Sequence, residues 1–255
     1  IVFSCGFDSI PFDLGVLFLQ QTAQQQLGAP VSRIKGRVRA MEGTFSGGTL
    51  ASFKATMAAA AEKPELIGVL MNPFALTEGF AGPEQPSGLA PIHEDDLGSW
   101  SAPFVMATIN TKNIHRSNLL LGHQYGEGFV YDEMMLTGPG EAGEAIANAV
   151  AEDKSMATNP IKPGEGPSKE ERENGFYDVL FVGIADSGEV VQTSVKGDKD
   201  PGYGSTSKMI AESAVCLLLN PELASGGIWT PAAALGAPLI ERLQDNAGLT
   251  FQIES

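Results

Sequence analysis

Apolar side chains at Phe12, Leu14, Val16, Leu17, Phe18 and Leu19, followed by a glutamine-rich stretch that stops at Gly28, predict a helix over residues 11–27. Pro11 suits the first turn, where the helix needs no amide, and Asp8 or Ser9 supplies the N-cap. Upstream, "IVFS" reads as the end of a β-strand. Basic and apolar residues alternate over 32–41, "SRIKGRVRAM", with the period of a half-buried strand. The glycine-rich turn "GTFSGGT" then opens a helix that ends before Pro64. Residues 72–103 are rich in Pro, Gly and acids and predict a long ordered loop.

Farther along, 102–122 reads as a helix with Ala107, Ile114 and Leu121 in one apolar row. A strand over 127–138, a helix over 141–154 and a charged Pro/Gly-rich loop over 159–175 follow. Residues 176–198 form the clearest hairpin, two β-rich runs turning at Asp186-Ser187-Gly188. The run 204–220 predicts a helix capped by Ser205 or Thr206, with Met209, Val215 and Leu219 apolar and Cys216 buried. "LTFQIES", 249–255, closes the chain as a strand. The order of elements implies an α+β fold: a mixed, largely antiparallel sheet with flanking helices.

Composition narrows the function classes. The chain has 255 residues, 43% hydrophobic and 18% charged, enough for a sizeable core. A net charge of −15 speaks against nucleic acid or an anionic membrane as partner, because phosphates reward Lys and Arg. No apolar run approaches the ~20 residues of a membrane span; 56–72 comes nearest, and Glu62, Lys63, Pro64 and Glu65 interrupt it. Cys5 and Cys216 have no metal-site or disulfide-framework spacing, and His93, His115 and His123 have no metal spacing. No metal is expected. The simplest reading is a soluble, cytoplasmic protein.

"GPGEAG" at 138–143 matches the dinucleotide fingerprint letter for letter. The fingerprint works inside a βαβ unit, and nothing between 155 and 175 supplies the second parallel strand. The motif is therefore expected to be a helix entry only.

Several segments together resemble the saccharopine dehydrogenase-like oxidoreductases, the family that includes trans-acting enoyl reductases. They are "CGFDSIPFDLG" (5–15), "GTFSGGTLAS" (43–52), "APFVMATINTKNIHRSN" (102–118), "YGEGFVYDEMM" (125–135), "PGEGPSKEERENGFY" (163–177), "VKGDKDPGYGSTSKMIAESAVCLL" (195–218) and "GGIWTPAAALGAPLIERL" (226–243). The resemblance implies that residues 1–30 are a remnant of a Rossmann-like nucleotide-binding domain, its last strand and helix. Residues 31–200 would then bind substrate and dimerise, and 201–255 would pack back toward the nucleotide domain. It further implies NAD or NADP in the complete protein, with none expected to bind this chain tightly, and hydride transfer to an imine, carbonyl or enoyl substrate. The partners implied are a small-molecule substrate and a second copy in a homodimer. The alternative is a non-enzymatic ligand-binding or dimerisation module of the same fold.

The cofactor-side candidates are Cys5, Gly6, Phe7 and Asp8, a turn at a helix N-terminus whose amides suit a phosphate, a carboxylate or a nicotinamide amide. Equally, Asp8 and Ser9 simply cap the helix. On the substrate side stand Ser46, Gly47 and Thr49, whose "FSGGT" resembles the SGG turn at the substrate cleft of saccharopine reductases, although turn chemistry alone also accounts for it. Asn110 and Arg116 suit a carboxylate, Arg116 by its bidentate fork, unless Arg116 is salt-bridged or solvated. Tyr203 either meets substrate at the domain junction or packs. No catalytic residue stands out.

Overall fold

The computed structural model describes residues 1–254. Among them seven strands form one sheet in the order β2-β3-β4-β1-β5-β6-β7. These are β1 Arg33–Glu42, β2 Ile92–Glu94, β3 Ser99–Pro103, β4 Val130–Gly138, β5 Phe176–Ile184, β6 Val190–Gly197 and β7 Leu249–Glu254. The β1–β4 pair is parallel and the other five pairs are antiparallel, the mixed, largely antiparallel sheet that the pattern predicts. Of the predicted last strand, Ser255 lies outside the described residues.

The first helix, α1 (Ile10–Leu27), lies on β5 and β6 and is buried on nearly every side through its first half. Ile10, Phe12, Leu14, Val16 and Leu19 lose all solvent contact, the mark of a helix apolar all round and therefore central. Residues 1–30 thus share one core with the sheet of residues 31–200. Ahead of α1, "IVFS" is not a strand of this sheet: Val2 makes a single parallel bridge to Trp229. Ser9 holds the N-cap position, but its hydroxyl makes no cap and donates instead to Asn110 Oδ1 at 3.2 Å.

After β1 come α2 (Gly47–Glu62) and α3 (Glu65–Met71). The predicted loop of 72–103 contains the β2–β3 hairpin, too short and polar to show as a period-2 pattern. Accordingly α4 (Ala107–Leu120) begins five residues later than predicted. Next is α5 (Gly140–Glu152), then α6 (Ser155–Thr158) and α7 (Lys169–Asn174), the last inside the predicted loop and opened by a Ser168–Glu171 capping box.

Three further helices, α8 (Gly204–Leu219), α9 (Pro231–Ala234) and α10 (Gly236–Asn246), complete the fold. The buried stripe of α8 is Met209, Ser213 and Cys216, whereas Val215 and Leu219 face outward. Its cap is neither Ser205 nor Thr206: the Asp200 carboxylate accepts from the amides of Tyr203 at 3.0 Å and Gly204 at 2.7 Å. "GPGEAG" is a helix entry, with Gly138 and Gly140 at φ +99° and +62°. The next strand, β5, runs opposite to β4, since β1 pairs parallel with β4 and antiparallel with β5, so no βαβ unit forms there.

Candidate active site

Four loops meet at the end of the sheet where β1 and β6 finish, around a cleft of about 190 Å³. The turn before α1 contributes Phe7 and Asp8; the passage from β1 into α2 contributes Met41, Thr44, Phe45, Ser46 and Thr49. Phe104, Val105 and Met106, between β3 and α4, form a third wall, and Pro201, Gly202, Tyr203 and Thr206 at the start of α8 form the fourth. The walls are mainly apolar, and no Lys, Arg or His lines them.

Local chemistry holds each wall in place. Ser46 caps α2, accepting from the Thr49 amide, and its hydroxyl lies 3.1 Å from that of Thr49. A Cβ on Gly47 would overlap the Lys162 carbonyl, and the Gly47 amide donates to Glu165 O at 2.9 Å. Gly47 thus serves backbone packing of the 160–165 segment beneath α2. Phe7 stacks edge-on against Phe12 and Tyr177. Its amide donates to Thr206 Oγ1 at 2.9 Å, and Thr206 donates in turn to Pro201 O at 2.8 Å, tying the first turn to α8. Tyr203 donates its hydroxyl to Glu165 O at 3.2 Å.

The Ser9 and Ile10 amides both donate to Gly6 O and that of Phe7 to Thr206, while the amides of Cys5, Gly6 and Asp8 have no hydrogen-bond partner among the described residues. Cys5 stands behind the wall, its thiol near the Val2 and Phe3 carbonyls and pushed above its ordinary pKa by burial. Gly6 lies against Thr206. Asp8 is the exception: it lines the cleft, forms no side-chain hydrogen bond or ion pair among the described residues, and burial raises its pKa.

Asn110 and Arg116 are not brought to the cleft. Asn110 is fully buried behind it, accepting from Ser9 and donating to Glu133 Oε2 at 2.9 Å. Arg116 staples two loops through the Leu76 and Ile228 carbonyls, each at 2.8 Å, with its guanidinium over Phe3. Spacing along α4 gave no sign of this, because the carbonyls Arg116 binds belong to segments distant in sequence.

The histidines lie elsewhere as well. His115 packs against Phe74 and Phe129 with its pKa pushed down to about 4 by burial, His123 against Phe80, and His93 beside Asp95. Among the described residues no three His, Cys, Asp or Glu side chains group as a metal site, and no helix is long and apolar enough to cross a membrane. What the sequence passed over in the cleft was its apolar wall from β3 to α4, Phe104 to Met106. These residues read as the start of a helix rather than as the loop before it.

No family model matches the chain. It is 34% identical over 279 residues to a protein of Mycobacterium tuberculosis provisionally named a trans-acting enoyl reductase, a match covering 99% of this chain and 66% of that protein. It is 30% identical over 271 residues to the trans-acting enoyl reductase of Mycobacterium ulcerans, covering 95% of this chain and 65% of the relative. The chain therefore spans about two thirds of the length of these relatives.

Proposed function

The chain is a member of an enoyl-reductase-like family of oxidoreductases, and on that premise we propose that it carries the acyl-binding cleft of an NAD(P)-dependent, saccharopine dehydrogenase-like reductase. The observation that carries this reading is the cleft itself, walled by Phe7, Met41, Phe45, Phe104, Val105 and Met106 and lined by no cation. Such walls favour an uncharged acyl chain over an amino-acid adduct, whose charged groups would lose hydration without gaining a partner. In this reading residues 31–200 bind substrate and dimerise, while 1–30 and 201–255 join them to a nucleotide-binding part. The protein acts in the cytoplasm as a homodimer on a small-molecule substrate.

The donor set around the cleft fits one end of a nicotinamide cofactor. An uncharged nicotinamide ring suits the apolar wall at Phe7; the phosphates do not suit it, since no cation lines the cleft and its free side chain is the carboxyl of Asp8. When bound, the cofactor supplies the hydride. This chain's residues do the rest: the aromatic and Met walls hold the acyl chain and exclude water, and the Phe7–Thr206–Pro201 links keep the turn in position.

Calorimetric titration of trans-2-dodecenoyl N-acetylcysteamine thioester tests the reading. Val105 lines the cleft and is 41% exposed, so Val105→Lys tolerates its charge in the fold while setting it at the ligand. The expected result is saturable binding that weakens tenfold or more in V105K with melting unchanged. Equal binding by both proteins overturns the assignment of the cleft.

A further inference from the structure

Four of the five hydroxyls on the cleft wall are already hydrogen-bonded, and only that of Thr44 has no partner among the described residues. Thr206 accepts from Phe7 and donates to Pro201 O; Tyr203 donates to Glu165 O; Ser46 and Thr49 engage each other at the α2 cap. The contrast between Asp8, in the turn before α1, and Asp13, within it, is equally plain. Asp13, five residues beyond Asp8, is fully enclosed and accepts from the Ser117 hydroxyl at 2.5 Å and the Ala232 amide at 2.8 Å. The Asp13 carboxyl, which serves the fold, is bonded on both oxygens. Asp8 serves no such bond and faces the cleft.

Enoyl reduction needs two deliveries to one double bond, and an apolar cleft offers few sources for the second. We propose that Asp8 is the catalytic residue that gives the proton to the α-carbon of an enoyl thioester, a role that rests on the reductase reading above. A reduced nicotinamide, when bound, would supply the electron pair to the β-carbon as hydride and would itself be oxidised. The carbon–carbon π bond breaks, and its electrons take the proton from the Asp8 carboxyl to form the new α C–H bond. Asp8 is left as carboxylate and recovers its proton from water at the cleft mouth, so the thioester gains two hydrogens and the enzyme returns to its starting state.

The surroundings suit this cycle. Burial raises the pKa of Asp8, which favours its acid form. The α1 wall adds Asp13, already bonded; the wall from β1 to α2 is bordered by Glu42; the α8 wall has Tyr203, with Asp200 turned to the amides beneath it. The wall from β3 to α4 adds no charge, and no cation reaches Asp8 to hold it ionised.

The test uses the full-length protein containing this chain, with trans-2-dodecenoyl N-acetylcysteamine thioester and NADPH or NADH. Asp8→Asn is expected to lower kcat by 10² to 10⁴-fold, the range of a lost general acid, while thioester affinity by calorimetry and melting temperature stay within twofold and a few degrees. The alkaline limb of the kcat–pH profile should vanish in D8N, and Asp8→Glu should restore part of the rate with a shifted limb. A D8N enzyme that turns over within threefold of the unaltered one, or that keeps the same alkaline limb, overturns the proton assignment and leaves the reductase reading intact. An unaltered protein that binds the thioester but reduces it with neither cofactor overturns the reductase reading, and the proton assignment with it.

Discussion

Glu133 is a carboxyl whose role is to be neutral. It is fully enclosed, takes hydrogen bonds from Asn110 and from Tyr131 at 2.9 and 2.8 Å, and burial pushes its pKa up to about 8. Asp13 is raised to about 7, again chiefly by burial. Both bind protons more tightly folded than unfolded, so the stability they contribute is whole below their unfolded pKa, near 4, and is lost as pH rises through about 7 and about 8. His115, held down to about 4, has the opposite sign: its contribution is complete above about 6.5 and lost as pH falls. Between about pH 7.5 and 8 His115 is almost wholly neutral in both states, and the carboxyls act alone. Melting temperature should fall across that window, by about 1.4 kcal/mol of stability per pH unit for each proton bound differently. Glu133→Gln should keep the fold, with the Tyr131 hydroxyl turning to accept, and should flatten the decline; calorimetry at half-unit pH steps reads this. An equally steep slope in E133Q would show that Glu133 is ionised in the fold. These roles were not legible along the chain, because neither Asn110 nor Glu133 differs in type or spacing from a surface residue.

At the scale of elements, the prediction concerns how closely α1 sits on the sheet. A Cβ at Gly15 would run into the ring of Phe181, and that ring is fully buried against Phe12. Alanine in a helix interior normally gains up to ~1 kcal/mol over glycine, whereas overpacking a closed contact costs ~1–3 kcal/mol. The clash should win. Gly15→Ala is expected to lower the melting temperature by several degrees, while Gly68→Ala in α3, where nothing lies within 4 Å, should leave it unchanged or raise it slightly. Equal melting of the two variants would mean that α1 can move off the sheet without cost. Elements were legible where a long period marked them, as in α1, β1 and the β5–β6 hairpin. The β2–β3 hairpin and α7 were not, since three to six residues hold too little pattern to stand out from a polar loop. On α8, amphipathic spacing located the helix, and Met209 and Cys216 are buried, but the apolar Val215 and Leu219 point outward and the small Ser213 takes the buried place between Met209 and Cys216.

For the whole molecule, charge bears on cofactor affinity. The chain carries a net charge of −15, and its cleft offers no Lys or Arg to a pyrophosphate. NADPH and NADH titrated into the 255-residue chain should therefore bind no more tightly than millimolar by fluorescence. Micromolar binding would instead return attention to Gly138, Gly140 and Gly143 as a phosphate loop. The sequence by itself determined the α+β class, the mixed and largely antiparallel sheet, and "GPGEAG" as a helix entry outside a βαβ unit, because periodicity and element order are local properties that survive in one dimension. It also singled out the Phe7–Asp8 turn, the Ser46–Thr49 turn and Tyr203, three segments that line one cleft. Only the tertiary structure decided that Asn110 and Arg116 stand outside that cleft and that Phe104 to Met106 form its third wall. It alone distinguished the bonded Asp13 from the unbonded Asp8. Those distinctions depend on partners from 23 to 219 residues away, and contacts of that range are set by packing rather than by spacing along the chain.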